Sequence, residues 1–197
     1  MRIGVFGGTF NPPHLGHLVC AQEAYVQLGL DRVILIPVFT PPHKPLEDDP
    51  GPEHRLELCR LAVAGDQRFT VSDLETSQPG PSYTVDTLQK LHANDPDTEL
   101  FLILGGDVAA DLPRWRDPEA VVALATPAVA NRRGTPRARA EAGLSELPGG
   151  TRARFFSMPW IGVSSTMIRR RVKAGQPIRY LVPDAVAAYI EAKGMYR

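Results

Sequence analysis

Two histidines three residues apart, His14 and His17, close the stretch Gly7-Gly8-Thr9-Phe10-Asn11-Pro12-Pro13-His14-Leu15-Gly16-His17. Paired glycines let a backbone approach a bulky anion closely. A helix beginning just beyond them offers unpaired N–H groups and the positive end of its dipole. Residues three apart share a helix face, so both imidazoles can serve one pocket. Nothing in the stretch suggests a nucleophile or a general base. Its chemistry is that of a phosphate cradle with two added imidazoles. A glycine pair alone would only mark a turn.

A second group with chemical capacity is Val163-Ser164-Ser165-Thr166-Met167-Ile168-Arg169. Ser164 is a natural N-cap, and the hydroxyls beside it sit where a helix start has donors to offer. Arg169 lies one turn further along and can fork onto phosphate oxygens that reach the same helix end. Taken alone, such a string is a capping signal before it is a phosphate site.

The elements that must position these groups follow from hydrophobic spacing. Residues 2–6 read as a short buried strand, and residues 18–28 carry apolar side chains at helical intervals. The glycine-histidine stretch is therefore a strand-to-helix turn, where open parallel sheets bind their ligands. Further strands are predicted over 32–37, 69–72, 100–104, 128–130 and 154–156. Helices are predicted over 53–64, 83–91, 118–125, 164–174 and 183–193, the last ended by Gly194. Residues 38–52 form a proline-rich loop, and 134–150 read as a solvated helix or mobile excursion. Repeated strand-helix units predict an α/β fold, a Rossmann-like doubly wound parallel sheet with helices on both faces. A single domain over 1–197 is expected, with the serine-arginine group and closing helices in 160–197.

Composition narrows the class of partner. The 22 basic and 22 acidic residues cancel, leaving no basic footprint for nucleic acid. Cys20 and Cys59 fall among apolar residues in predicted helices, as buried thiols in a reducing compartment do. No signal peptide and no membrane-spanning apolar run is visible, so a soluble cytoplasmic protein is expected.

The first stretch resembles the signature Gly-Gly-Thr-Phe-Asp-Pro-x-His-x-Gly-His of the nucleotidyltransferase superfamily, whose members transfer AMP or CMP from a nucleoside triphosphate to a phosphate. Asn11 stands where that superfamily usually has Asp, a change expected to suit the turn equally well. The second stretch is similar to the Ile-Ser-x-Thr-x-Ile-Arg motif that grips the triphosphate in the same superfamily. Three further strings resemble those of the bacterial nicotinate-nucleotide adenylyltransferases. These are Pro41-Pro42-His43-Lys44, Gly80-Pro81-Ser82-Tyr83-Thr84-Val85-Asp86, and Gly105-Gly106-Asp107 ahead of Leu112-Pro113-Arg114-Trp115. The likeness runs through nearly the whole chain and is thinnest over 134–150.

The resemblance implies AMP transfer from ATP to nicotinate mononucleotide, giving nicotinate adenine dinucleotide and pyrophosphate. It implies that Gly7, Gly8, Thr9, Phe10, His14, His17, Gly105, Asp107, Ser164, Ser165, Thr166 and Arg169 bind ATP. Thr9, Phe10, Lys44, Thr84, Trp115, Arg116 and Arg132 are implied for the mononucleotide, and His14, His17, Lys44 and Arg169 for catalysis. Trp115 offers a π-face for the pyridine ring, and Thr84 a hydroxyl and helix start for its carboxylate. Arg116 would contribute its backbone. The family commonly shows Arg-Pro-Gly at Arg132-Arg133-Gly134, and for His43 and Asp86 a solvated surface role fits as well. Mg²⁺ is expected as the cofactor, held mainly by ATP phosphates with no dedicated protein ligands. The expected partners are small molecules, with neither nucleic acid nor membrane, and a homo-oligomer is left open. Two alternatives stand beside this reading. One is a sister transferase acting on nicotinamide mononucleotide or phosphopantetheine. The other is a non-enzymatic nucleotide-binding sensor.

Overall fold

The computed structural model describes residues 1–42, 46–131 and 137–197. Its centre is a six-stranded parallel sheet, with β1 (Arg2–Gly8), β2 (Arg32–Pro37), β3 (Phe69–Val71), β4 (Glu99–Gly105), β5 (Ala125–Asn131) and β6 (Arg154–Ser157). The strand order is β3-β2-β1-β4-β5-β6. Order reverses at β1, whose carboxyl end carries the glycine-histidine stretch. That reversal is the topological switch point at which such sheets bind ligands.

Two compact units are distinguishable. The first comprises Met1–Phe6, Cys20–Ile34 and Tyr83–Trp160, and the second comprises Gly7–Val19, Leu35–Ser82 and Ile161–Arg197.

In the first unit, β4 reads Glu-Leu-Phe-Leu-Ile-Leu-Gly, and its five central residues are buried. Such a continuous apolar run marks a strand covered on both faces. Ile3 pairs in register with Leu100, and Leu104 pairs with Val129. A Cβ at Gly4 would meet Leu30 and Ile103 within 2.9 Å, so glycine permits this close packing. The amide of Gln27 donates to the Ser157 carbonyl at 2.6 Å and accepts from the Ser157 N–H at 3.0 Å. A side chain thus serves the backbone of the edge strand β6 as a neighbouring strand would.

Of the two readings for 134–150, a solvated helix or a mobile excursion, the structure bears out the helix over part of the span. Its described part contains a helix, α6 (Arg137–Ser145), and a 3₁₀ turn over Gly150–Arg152. The helix carries almost no apolar stripe, so periodicity could not reveal it. It is held by close approach, since a Cβ at Gly143 would collide with the Ala110 carbonyl of α4 (Gly106–Ala110). Both α4 and the 3₁₀ turn over Leu112–Arg114 are absent from the sequence reading, being too short to show a period.

In the second unit, α2 (Pro52–Ala62), α7 (Ser165–Lys173) and α8 (Asp184–Ala192) enclose a core of Leu58, Ile168, Ile178, Val182, Val186, Ile190, Met195 and Tyr196. Leu58, Ile168 and Val186 are fully buried, each stabilising the fold by about 1.5–3 kcal/mol. Gly194 takes φ +60, the left-handed cap that ends α8 as expected.

Candidate active site

The carboxyl end of β1, which takes in both glycines, and the loop beyond it are shaped by backbone conformation. At Gly7 an added Cβ would meet nothing within 4 Å, while at Gly8 it would press on the Phe10 ring at 3.0 Å. Phe10 is buried and adopts φ +49, uncommon for an aromatic residue. Helix α1 (Leu15–Leu28) starts three residues before its predicted beginning. The His14 carbonyl closes its first turn, accepting from the N–H groups of His17 at 2.9 Å and Leu18 at 3.2 Å. Position 17 therefore lies inside the helix, where the sequence reading had left it in the turn.

The two imidazoles form one unit. Their rings stack at 3.8 Å and 30°, and the Phe10 ring meets His17 edge-on at 5.1 Å. The His14 N–H donates to Nδ1 of His17 at 3.2 Å. In the neutral ring that bond puts the proton on Nε2, so His17 presents a donor on its far side. Gly16 makes room for the stack, because a Cβ there would lie 3.0 Å from the His14 ring.

The α7 helix start reaches the same loop. Ser164 caps α7, its Oγ accepting from the Met167 N–H at 3.2 Å. The Ser165 hydroxyl donates to the Pro12 carbonyl at 2.8 Å, and Nη1 of Arg169 donates to the Asn11 carbonyl at 3.0 Å. The two helix beginnings thus meet at adjacent carbonyls, as the sequence reading requires. Thr166 is exposed on the first turn of α7.

Arg169 departs from expectation in one respect. Its guanidinium is buried, with Nη2 at 3.9 Å from a Glu47 carboxylate oxygen and Nε at 3.7 Å from one of Asp48. A guanidinium removed from water needs counter-charge, and these carboxylates supply it. Lys173 adds a 2.6 Å bond to Asp48. That hydrogen bond, with the nearby charges of Lys173 and Arg169, holds the Asp48 carboxyl below its ordinary pKa.

Asn11 is more than a turn former. Its Nδ2 donates to the Glu47 carbonyl at 3.1 Å, and its Oδ1 accepts from the Tyr196 hydroxyl at 2.7 Å. A carboxylate could not make the first bond, so Asn at this position does more than suit the turn as well as Asp would. Burial pushes the Tyr196 phenol well above its ordinary pKa, which keeps it a donor. Tyr196→Phe is expected to cost about 1–3 kcal/mol of unfolding free energy by leaving the buried Oδ1 unsatisfied. Urea denaturation with an unchanged midpoint would refute this.

In the first unit, Thr84 opens α3 (Thr84–Asn94) and is half-buried. Trp115, also half-buried, follows the Leu112–Arg114 turn. The Arg116 guanidinium lies 4.6 Å above the Tyr83 ring and 3.6 Å from an Asp86 carboxylate oxygen. Arg116 therefore links the Trp115 turn to the start of α3, a side-chain role the reading did not anticipate. Gly105 ends β4, and Asp107 lies exposed on α4 with Arg139 at 3.9 Å. Lys44 and Arg132, together with His43 and Arg133, lie outside the described residues. Among the described residues no group of three or more His, Cys, Asp or Glu gathers as a metal-ligand set.

The chain matches the cytidylyltransferase-like family over residues 5–171, a span that includes both helix beginnings. It is 48% identical to a probable nicotinate-nucleotide adenylyltransferase of Thermus thermophilus, with 100% of each chain covered. The chain belongs to the nicotinate-nucleotide adenylyltransferase family. A relative of the same name from a Roseiflexus species is 47% identical, covering 99% of this chain and 98% of its own. The family's fold recurs at much lower identity. The Plasmodium falciparum nicotinic acid mononucleotide adenylyltransferase superposes with a TM-score of 0.80 at 16% identity, covering 99% of this chain and 96% of its own. No helix among the described residues is long and apolar enough to cross a membrane.

Sequence reasoning missed the acidic partners Glu47 and Asp48, the Tyr196 hydroxyl and the buried Arg55. For the first three no signal existed, because the contacts join residues 36 to 185 positions apart. Arg55 had one: it stands on the apolar stripe of α2 with Leu58 and Cys59.

Proposed function

We propose that this chain is an enzyme that moves AMP from ATP to nicotinate mononucleotide, releasing pyrophosphate and nicotinate adenine dinucleotide, in the cytoplasm as a step of NAD biosynthesis. The observation that carries the reading is the pair of bonds from Ser165 and Arg169 to the Pro12 and Asn11 carbonyls. They tie the hydroxyl- and guanidinium-bearing start of α7 to the loop that leads into α1 and its two imidazoles.

The chemistry asks little of acids and bases. The acceptor phosphate is already an anion, so no group need remove a proton. A phosphate oxygen attacks the α-phosphorus of ATP, a new P–O bond forms, and the bond to the bridging oxygen breaks with its electrons leaving on pyrophosphate. Catalysis is then alignment and stabilisation of charge. His17 donates through Nε2–H to the α-phosphate, and His14 serves the oxygens beside it. Gly7, Gly8, Thr9 and Phe10 lend backbone to the phosphates, and the hydroxyls of Ser164, Ser165 and Thr166 lie at the α7 start. Arg169 exchanges the carboxylates of Glu47 and Asp48 for the departing phosphates. Gly105 and Asp107 take the adenosine, Thr84, Trp115 and Arg116 the nicotinate ring, and Lys44 and Arg132 further phosphate charge.

The carboxylates near the phosphate loop, Glu47, Asp48 and Asp49, are each paired with arginine or lysine. They do not make a cage for Mg²⁺. The ion would arrive on ATP as its phosphate counter-charge, and no protein ligand is assigned to it.

The decisive experiment measures pyrophosphate release with ATP and a panel of mononucleotides. Fast release with nicotinate mononucleotide and slow release with the amide is expected. Preference for the amide or for phosphopantetheine would establish a sister transferase, and no release with any acceptor a sensor. Incubation with labelled ATP alone should leave no adenylate on the protein, because the transfer is direct.

A further inference from the structure

Among the described residues Arg55 is the largest side chain fully removed from solvent, and the chemistry above does not use it. It stands in the first turn of α2 and spends its guanidinium on loops. Nε donates to Oδ1 of Asp49 at 2.8 Å. Nη1 donates to the carbonyls of Thr9 at 3.1 Å and Val38 at 2.6 Å, and Nη2 to that of Phe39 at 2.8 Å. One carboxylate neutralises the charge, and the other bonds all go to backbone. A buried cation so fully engaged is costly to assemble, and stability alone is weak grounds for it, since apolar replacements of buried ion pairs are often neutral.

What the bonds select is the orientation of peptide planes. In a planar trans peptide the C=O and the following N–H point in opposite directions. Holding the Thr9 carbonyl toward Arg55 therefore turns the Phe10 N–H the other way. Holding Val38 and Phe39 does the same for the planes after β2. There the Phe39 N–H meets the Ser82 hydroxyl at 2.9 Å, and the Val38 N–H meets the Gly8 carbonyl at 3.0 Å. With Ser165 on the Pro12 carbonyl and Arg169 on that of Asn11, side chains from two helices hold carbonyls 9, 11 and 12 of the same loop. Pro12 and Pro13 follow two of these carbonyls and carry no N–H, so the donor that this arrangement turns away from Arg55 is that of Phe10.

We propose that Arg55 is a positioning residue for adenylyl transfer, acting through the Thr9–Phe10 and Val38–Phe39 peptides to set the phosphate-binding loop before substrate arrives. This rests on the reading under Proposed function. Misplacement of a reacting group by about 1 Å costs on the order of 100-fold in rate, so the effect belongs in turnover rather than in nucleotide affinity. Arg55→Lys keeps a charge for Asp49 but cannot reach three carbonyls at once. It is expected to lower kcat per folded enzyme by about 10- to 100-fold, with the KM for ATP within about 3-fold. In Arg55→Ala, millimolar guanidinium is expected to restore part of that rate, and methylammonium none. If Arg55→Ala does not fold, the Arg55→Lys comparison decides alone. A merely structural Arg55 would lower the melting temperature and the active fraction, leaving kcat per folded enzyme unchanged; a kcat within 2-fold of wild type overturns the proposal. Wild-type enzyme assayed in parallel separates the two readings. Its failure to form dinucleotide overturns both, whereas normal turnover with an unimpaired Arg55→Lys overturns this one only.

Discussion

His17→Ala is expected to lower kcat by about 10²- to 10³-fold, the usual cost of removing one donor aimed at developing charge in an acyl- or phosphoryl-transfer site. The ring is well prepared for that task. Its Nδ1 accepts from the His14 N–H, and its ring stacks on His14 and meets Phe10 in a T-shaped contact, so the Nε2 donor is oriented before ATP binds. The fold should survive. Position 17 is only half-buried, and α1 keeps its closing bonds to the His14 carbonyl. The expected stability loss is about 1 kcal/mol, one hydrogen bond. Steady-state kinetics with circular dichroism as a control checks both parts. A near-normal rate in a folded variant would remove His17 from the phosphate site.

Arg169→Lys separates charge from geometry. Lysine retains the cation but not the planar fork that grips a carboxylate or phosphate through two bonds. The guanidinium holds the Asn11 carbonyl and faces Glu47 and Asp48. The substitution therefore affects the loop as well as the proposed phosphate contact. A fall of about 10²-fold in kcat/KM for ATP is expected, larger for Arg169→Ala, together with a lower melting temperature. The acidic neighbours supply the control. If Arg169 exchanges them for phosphate, Asp48→Asn should tighten ATP binding in the wild-type background, measured by calorimetry. An Arg169→Lys enzyme within 3-fold of wild type would confine that arginine to its carboxylate partners.

Much of the fold was readable because βα units repeat a local pattern. The apolar runs at 100–104 and 32–37 depend on neighbours in sequence, and both strands stand where they were expected, β2 to the residue. Pattern failed where helices are short or lack a stripe. The helix α4 spans five residues, and α6 packs through a glycine against a backbone carbonyl, which no period reports. The early start of α1 was hidden by Pro12 and Pro13, which read as loop although His14 can still close the turn.

For the site, the sequence by itself determined the reactive types and their local order. Two imidazoles sit at one helix start, hydroxyls and a guanidinium at another, because spacing along a helix is a property of the chain alone. Only the tertiary structure decided what each group touches. The Asn11–Tyr196, Arg169–Asp48 and Arg55–Thr9 bonds join residues 46 to 185 positions apart or close a buried charge. Burial is what makes such charges and amides demand partners, and burial exists only once the helices have packed.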